Sequence, residues 1–317
     1  MRFDPGPVRA DRPFVGNRIA LGLALVGVLA ASPPVHALPQ ATFVAAPTKT
    51  NVTRKVRDFI QNYNRKAAMR ALPADANQYR YVLGKGLFGN IYPFYMSRNA
   101  KALRRAGLQV EFAKISTVGR ERENVDLVKQ MIRTTPKPMV IETHSQGTAI
   151  FSQAIGELNK TDPEIVRKNV RAFISLEGAY GGSSVADLLM SSRIGRGIAR
   201  GLTGLFGGRI DAIAELQTKV RTDINAEFPV PTATLPTVSM VGYQTHYRSI
   251  LAPGLFLLKR FFGQRTDGLV AHQSAVIPGS DVVRLPISHA QAAWGRYSEM
   301  LSLGLVTHAL SMPYEAP

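Results

Sequence analysis

Between Asn51 and Leu72, apolar residues fall at Val52, Val56, Phe59, Ile60, Tyr63 and Ala67, with Arg and Lys between them. That spacing predicts an amphipathic helix with a basic outer face. Two roles are open to it, packing on a core or lying on a membrane surface. From residue 79 the pattern changes to short apolar runs alternating with helical periods. Strands are predicted at Tyr79–Leu83, Gln109–Thr117, Met139–Thr143, Val170–Leu176, Thr237–Gln244 and Asp281–Pro286. Helices are predicted up to Ala106, where Gly107 closes the turn, and at Arg120–Arg133, Gln146–Asn159 and His289–Leu303. Strands alternating with helices imply an α/β fold with a mostly parallel sheet covered on both faces.

Residues 181–235 interrupt this rhythm. Leu188, Leu189, Ile194, Ile198, Leu202, Leu205 and Phe206 recur at loosely helical spacing among glycines and arginines. A second apolar stretch, Leu251 to Phe262, contains Leu255 and Phe256. Both follow C-terminal ends of predicted strands, where α/β sheets place their ligands. They read either as a lid and an apolar substrate wall or as ordinary core helices.

The first residues carry a separate signal. Arg2, Arg9, Arg12 and Arg18 precede an apolar run from Ile19 to Ala31, followed by Val35-His36-Ala37. The run is short for a bilayer of roughly 30 Å, and the small residues suit a secretory cleavage site after Ala37. Export is therefore expected, with residues 1–37 as a signal peptide or, alternatively, an uncleaved anchor. Residues 38–78 would form an N-terminal extension and 79–317 the main domain, with 181–235 inserted in it. The chain has no cysteine, which excludes disulfides, thiol chemistry and cysteine metal sites. Its formal charge of +17 is dispersed and lies beside no zinc-finger, RNA-binding or helix-turn-helix pattern. Nucleic acid is thus not an expected partner, whereas an anionic lipid surface is compatible with the charge.

The candidate chemistry centres on Thr143-His144-Ser145-Gln146-Gly147. A strand enters it and a helix leaves it, so Ser145 stands on a sharp strained corner with its hydroxyl raised from the sheet. A serine needs a base, and the base an acid that holds its tautomer. On sheet enzymes with such a corner the order is serine, acid, histidine. His289, in the short loop after the last strand, fits the base. Asp267, in Thr266-Asp267-Gly268-Leu269-Val270, fits the acid; Asp281 starts a strand, and Asp211 and Asp223 lie in the insertion. An oxyanion hole needs two backbone N–H groups. Gln146 supplies one, and the loop Gly84-Lys85-Gly86-Leu87-Phe88-Gly89 the other, through Leu87 or, in a shifted register, Lys85 or Gly86. That loop lacks the ending of a phosphate-binding P-loop.

Taken together, Gly86-Leu87-Phe88-Gly89, the Ser145 corner, Asp267-Gly268-Leu269-Val270 and Ser288-His289-Ala290 resemble the α/β-hydrolases, and most of all bacterial triacylglycerol lipases and related esterases. Gly178-Ala179-Tyr180-Gly181-Gly182-Ser183 and Ser280-Asp281-Val282-Val283-Arg284-Leu285 fit the same pattern. The resemblance spans roughly residues 79–303 and implies an α/β-hydrolase fold, a Ser145, Asp267, His289 triad and an acyl-enzyme on Ser145. Thr143 stands where the corner usually has glycine, and Lys85 where many lipases have histidine. Substrate contacts are expected at Phe88, His144, Leu188, Leu255 and Phe256. No cofactor and no metal are expected; the partner is a lipid or other ester, met at a membrane or emulsion interface. Acyl transfer, polyester cleavage and a non-catalytic lipid-binding role are the alternatives.

Overall fold

The computed structural model describes residues 49–62, 64–243, 266–295 and 297–314. The signal-like N-terminus, Leu255 and Phe256 lie outside the described residues. Among the described residues, six strands form one parallel sheet: β1 (Arg80–Gly84), β2 (Gln109–Phe112), β3 (Met139–His144), β4 (Val170–Leu176), β5 (Thr237–Gly242) and β6 (Asp281–Leu285), in the order β2-β1-β3-β4-β5-β6. β3, β4 and β5 are buried along their whole length, as expected of parallel strands covered on both faces.

The alternation of side chains sorts the strands onto two apolar layers. Tyr81, Leu83, Val140, Ile174, Val238 and Val283 face one layer. It is closed by α1 (Thr53–Gln61), α3 (Ser97–Arg105), α11 (His289–Trp294) and α12 (Ser298–Ser311). Val82, Ile141, Val170 and Phe173 face the other. There α4 (Glu121–Thr134), α5 (Gln146–Thr161) and α6 (Pro163–Asn169) pack.

Several elements differ from expectation for local reasons. The expected helix over 51–72 is two, α1 and α2 (Arg65–Arg70), because Asn64 caps the second by accepting from Lys66 and Ala67 N–H. Val56 and Ile60 of α1 are buried in the core, and the preceding Val52 N–H pairs with Val282 O, so the helix packs on the domain. β2 ends at Phe112, well before Thr117. Asn124 of α4 draws the following chain away from the sheet, accepting from Ser116 N–H and donating to Ser116 O. The last predicted helix divides at Gly295, whose backbone is extended. α6 was not expected; Asp162 caps it by accepting from Ile165 N–H, and Pro163 starts it, a favourable N-terminal pair.

Residues 181–235 contain α7 (Ser184–Ser191), α8 (Arg193–Gly204), α9 (Asp211–Ala214) and α10 (Thr218–Glu227). Serine caps open the first two, Ser183 on Val185 N–H and Ser192 on Gly195 N–H. α10 is tied to the sheet layer by Arg221, whose buried guanidinium pairs with Glu121 of α4 and donates to Ala149 O of α5 at 3.0 Å. Among the described residues, no helix is long and apolar enough to cross a membrane.

Candidate active site

Ser145 joins β3 to α5 with φ 57° and ψ −127°, a backbone region that non-glycine residues seldom occupy. The corner is tight: a Cβ on Gly147 would sit 2.6 Å from Gly84 O and 2.8 Å from Lys85 O. Thr143 is accommodated at the position usually given to glycine because Gly84 on β1 leaves room for its methyl group. Its hydroxyl joins those of Thr148 at 2.9 Å and, through Thr148, Ser175 at 3.1 Å. Ser145 N–H is held by Leu176 O, and Ser145 O accepts from Ala179 N–H. The corner is therefore pinned to the end of β4.

His289 begins α11, which Ser288 and Gln291 cap reciprocally. Its Nε2 lies 2.9 Å from Ser145 Oγ and its Nδ1 2.7 Å from Asp267 Oδ2. The carboxylate accepts from Nδ1–H, which leaves Nε2 free to accept the serine proton. Asp267 is buried, and its other oxygen, Oδ1, accepts from Leu269 N–H at 2.9 Å and Val270 N–H at 2.8 Å. A further backbone bond runs from His289 N–H to Asp267 O. The three sequence-selected residues thus form one hydrogen-bonded chain.

Gln146 is the first residue of α5, so its N–H has no partner within the helix and lies at the positive end of the helix dipole. In the glycine-rich loop, Gly86 N–H donates to Tyr95 Oη at 3.1 Å and Phe88 N–H to Thr117 O at 3.2 Å. Leu87 N–H, between them, makes no hydrogen bond among the described residues. The Gly86 N–H, the alternative donor, is thus already engaged. Lys85 turns aside, its ammonium 4.7 Å from the centre of the Phe112 ring.

The expected substrate contacts fall in different places. Phe88 has φ 61° and packs its ring 5.4 Å from that of Phe206, beyond the end of α8. Leu188 is buried in the cluster that covers Ala149 of α5, together with Leu189, Ile213 and Leu216 and against the partly buried Leu87. His144 is not at a substrate surface. It is wholly buried, with Nε2 donating to His289 O at 2.9 Å and Nδ1 accepting from the Tyr95 hydroxyl. A carbonyl can only accept, so this tautomer follows from the geometry. Burial first, and then the neighbouring His289, holds its pKa well below the usual range. His144 is a neutral strut that runs from the glycine-rich loop through Tyr95 to the backbone of His289.

One group near the histidine was not anticipated. Glu177 follows β4 directly with φ 46°, is 0% exposed, and sets Oε2 3.7 Å from His289 Nδ1 and 4.0 Å from His144 Nε2. Its only sequence signal is an acidic residue placed immediately after the strand Val170–Leu176. The His144, Glu177 and His289 ligand atoms lie within 4.8 Å of one another. Both ring nitrogens facing Glu177 carry protons given to other acceptors, which makes the trio a hydrogen-bonding cluster more suited to protons than to a cation.

No family model and no curated protein matches the sequence. Solved structures do. A metagenomic carboxyl esterase superposes with a TM-score of 0.64 at 15% identity, covering 90% of this chain and 98% of its own. The mature form of a Bacillus licheniformis lipase gives 0.58 at 19% identity, over 73% and 93%. A Legionella pneumophila phospholipase gives 0.57 at 12%, over 74% and 60%. With the parallel sheet and the serine corner at the end of its third strand in sequence, these likenesses lead to one structural conclusion: the chain has the α/β-hydrolase fold.

Proposed function

We propose that this chain is an exported serine carboxylic-ester hydrolase of the lipase or esterase type. The observation that carries the reading is the chain Ser145 Oγ, His289 Nε2, His289 Nδ1, Asp267 Oδ2, with links of 2.9 and 2.7 Å on a strained corner. In this reading Ser145 Oγ bonds to the ester carbonyl carbon while His289 Nε2 takes the hydroxyl proton. The carbonyl electron pair moves to oxygen, where the Gln146 and Leu87 N–H groups receive it. Collapse breaks the bond to the alcohol, which departs with the proton from Nε2. Water then repeats the sequence on the acyl-enzyme, giving the acid and restoring Ser145. The names of the structurally similar proteins, carboxyl esterase, lipase and phospholipase, agree with an ester substrate.

The surface near the site supports a lipid or emulsified ester. Ile194, Leu205 and Phe206 are exposed on α8 and just after it, Leu205 to 79%. Arg193 and Arg200 are exposed on the same helix. Apolar side chains beside arginines suit an anionic interface, and the Phe206–Phe88 contact connects this segment to the glycine-rich loop. We therefore assign α8 as a lid that meets the interface. The basic, apolar leader at residues 1–37 supports export. The test is hydrolysis of p-nitrophenyl esters and labelling by a fluorophosphonate: the wild-type chain turns over and is labelled, and Ser145→Ala does neither. Equal turnover by the two proteins would overturn the reading.

A further inference from the structure

Glu177 is a full carboxyl group in a place where an anion has no support. It is 0% exposed, and neither of its oxygens accepts a hydrogen bond from an N–H or O–H among the described residues. It is not there by accident of a loose loop. Its N–H is held by Met240 O at 2.8 Å, and its backbone takes the left-handed φ of 46°, a conformation that costs energy in a residue other than glycine. Room for the side chain exists only because Gly242, at the end of β5, lacks a Cβ; one built there would lie 1.9 Å from Glu177 Oε1.

Among the described residues the titratable groups that face it are few. His289 and Asp267 approach from the loops after β6 and β5, and His144 from the end of β3 with Tyr95 behind it. The two histidines have their nearer ring N–H groups engaged, by Asp267 and by His289 O. What remains for Glu177 is the Asp267 carboxylate, itself an acceptor. Both acids meet at His289 Nδ1, Glu177 Oε2 at 3.7 Å and Asp267 Oδ2 at 2.7 Å, and two carboxyl groups so close hold together only when one of them carries a proton. Burial, and after it the charge of Asp267 and the hydrogen bond to it, push Glu177 well above the usual carboxylate range, while Asp267 Oδ1 accepts from two backbone N–H groups and Glu177 accepts from none among the described residues.

We propose that Glu177 is a positioning residue that keeps its proton and donates it in a hydrogen bond to Asp267, so that the two acids stand behind His289 as one unit with a single negative charge. The unit has two consequences. In the intact site, Glu177 steadies the Asp267 oxygen that orients His289. When Asp267 is removed, its charge no longer opposes ionisation, and Glu177, starting 3.7 Å from Nδ1, ionises as the pH rises and becomes the carboxylate for the histidine. This inference rests on the ester-hydrolase reading only for its kinetic half; the proton on Glu177 is tested without turnover.

The experiment has two arms. In the first, infrared difference spectra of the wild-type chain against Glu177→Gln at about pH 7 show a protonated carboxylic-acid carbonyl band in the wild type alone. The subtraction removes the other buried acids. In the second, p-nitrophenyl ester turnover is followed for Glu177→Gln, Glu177→Leu, Asp267→Ala and Asp267→Ala/Glu177→Gln. Gln still donates an N–H to Asp267 and Leu cannot, so kcat of the Gln variant exceeds that of the Leu variant by about tenfold or more, the worth of one hydrogen bond to a charged group. Asp267→Ala gains kcat as the pH rises and Glu177 ionises, and exceeds the double variant by at least about tenfold at alkaline pH. A missing carbonyl band, or equal rates for Asp267→Ala and the double variant, would overturn the proposal. If Glu177→Leu fails to fold by circular dichroism, the infrared arm and the Asp267 pair still decide. If no variant nor the wild type turns over esters, the functional reading fails while the band continues to test the proton.

Discussion

Two buried aspartate–histidine pairs sit at opposite ends of the same sheet strands, and only one has the makings of a catalyst. At the C-terminal ends, Asp267 Oδ2 and His289 Nδ1 are 2.7 Å apart. At the N-terminal start of β6, Asp281 Oδ2 and His308 Nε2 are 2.9 Å apart. Partners and distances are nearly the same; the second ring nitrogen is what differs. His289 presents Nε2 to a serine hydroxyl with a proton to give, while His308 Nδ1 accepts from Lys55 Nζ at 3.2 Å. A carboxylate–imidazole pair becomes a general base only where the far nitrogen faces a proton worth taking. Otherwise it is a strut, here between α1, β6 and α12.

The largest effect expected is on the serine. Ser145→Ala lowers kcat for ester hydrolysis by roughly 10⁴- to 10⁶-fold and leaves the melting temperature close to the wild-type value, since alanine keeps the Cβ and backbone of the corner and gives up only the hydroxyl. Next come matched replacements in the two pairs. Asp267→Asn drops kcat by about 10⁴-fold, because the amide presents a donor to Nδ1 and selects the wrong tautomer. Asp281→Asn leaves kcat unchanged and lowers stability by about 1–3 kcal/mol, read as a drop of several degrees in Tm. A large kinetic effect from Asp281→Asn would erase the distinction between the pairs.

The pH dependence sharpens it further. His308 is held below its usual pKa, first by burial and also by Lys55, against the pull of Asp281; His144 is held lower still. A histidine with a depressed folded pKa contributes stability that is complete above about 6.5, the unfolded value, and lost as the pH falls through the folded one. Tm therefore declines on acidification below about pH 6.5, and His308→Gln makes the decline shallower. The smallest effect belongs to Glu142, buried in β3, where Asn99 and Ser302 donate to it and burial pushes its pKa up to about 7. A raised acid favours the fold below its unfolded value of 4.5 and loses that benefit as the pH rises through about 7. Glu142→Gln accordingly raises Tm at about pH 8 and not at about pH 4.

Chain order alone was enough to pick out the three residues that form the Ser145, His289, Asp267 hydrogen-bonded chain, because they carry local signals. Gly147 two residues after Ser145, Gly268 directly after Asp267 and the short link from the last strand to His289 are signals of this kind. Expectations weakened where the deciding partner was remote. Gln109–Thr117 looked like one strand until Asn124 claimed Ser116. His144 looked available to substrate because nothing local shows that Tyr95 and the His289 carbonyl occupy both its nitrogens.

What the sequence determined by itself was the alternation of strand and helix, the strained serine corner, and the order of serine, acid and base. All of these are written in spacing, turn chemistry and chain order, which need no knowledge of neighbours. The tertiary structure decided which acids and histidines meet. Glu177 reaches the back of His289 because β4 and β5 pair in parallel with Leu176 beside Met240, which brings Glu177 to the space that Gly242 leaves. His308 meets Asp281 because α12 returns across the sheet. Such contacts depend on strand register and helix docking, both set by packing of distant segments, and so leave no trace in the spacing of the residues that make them.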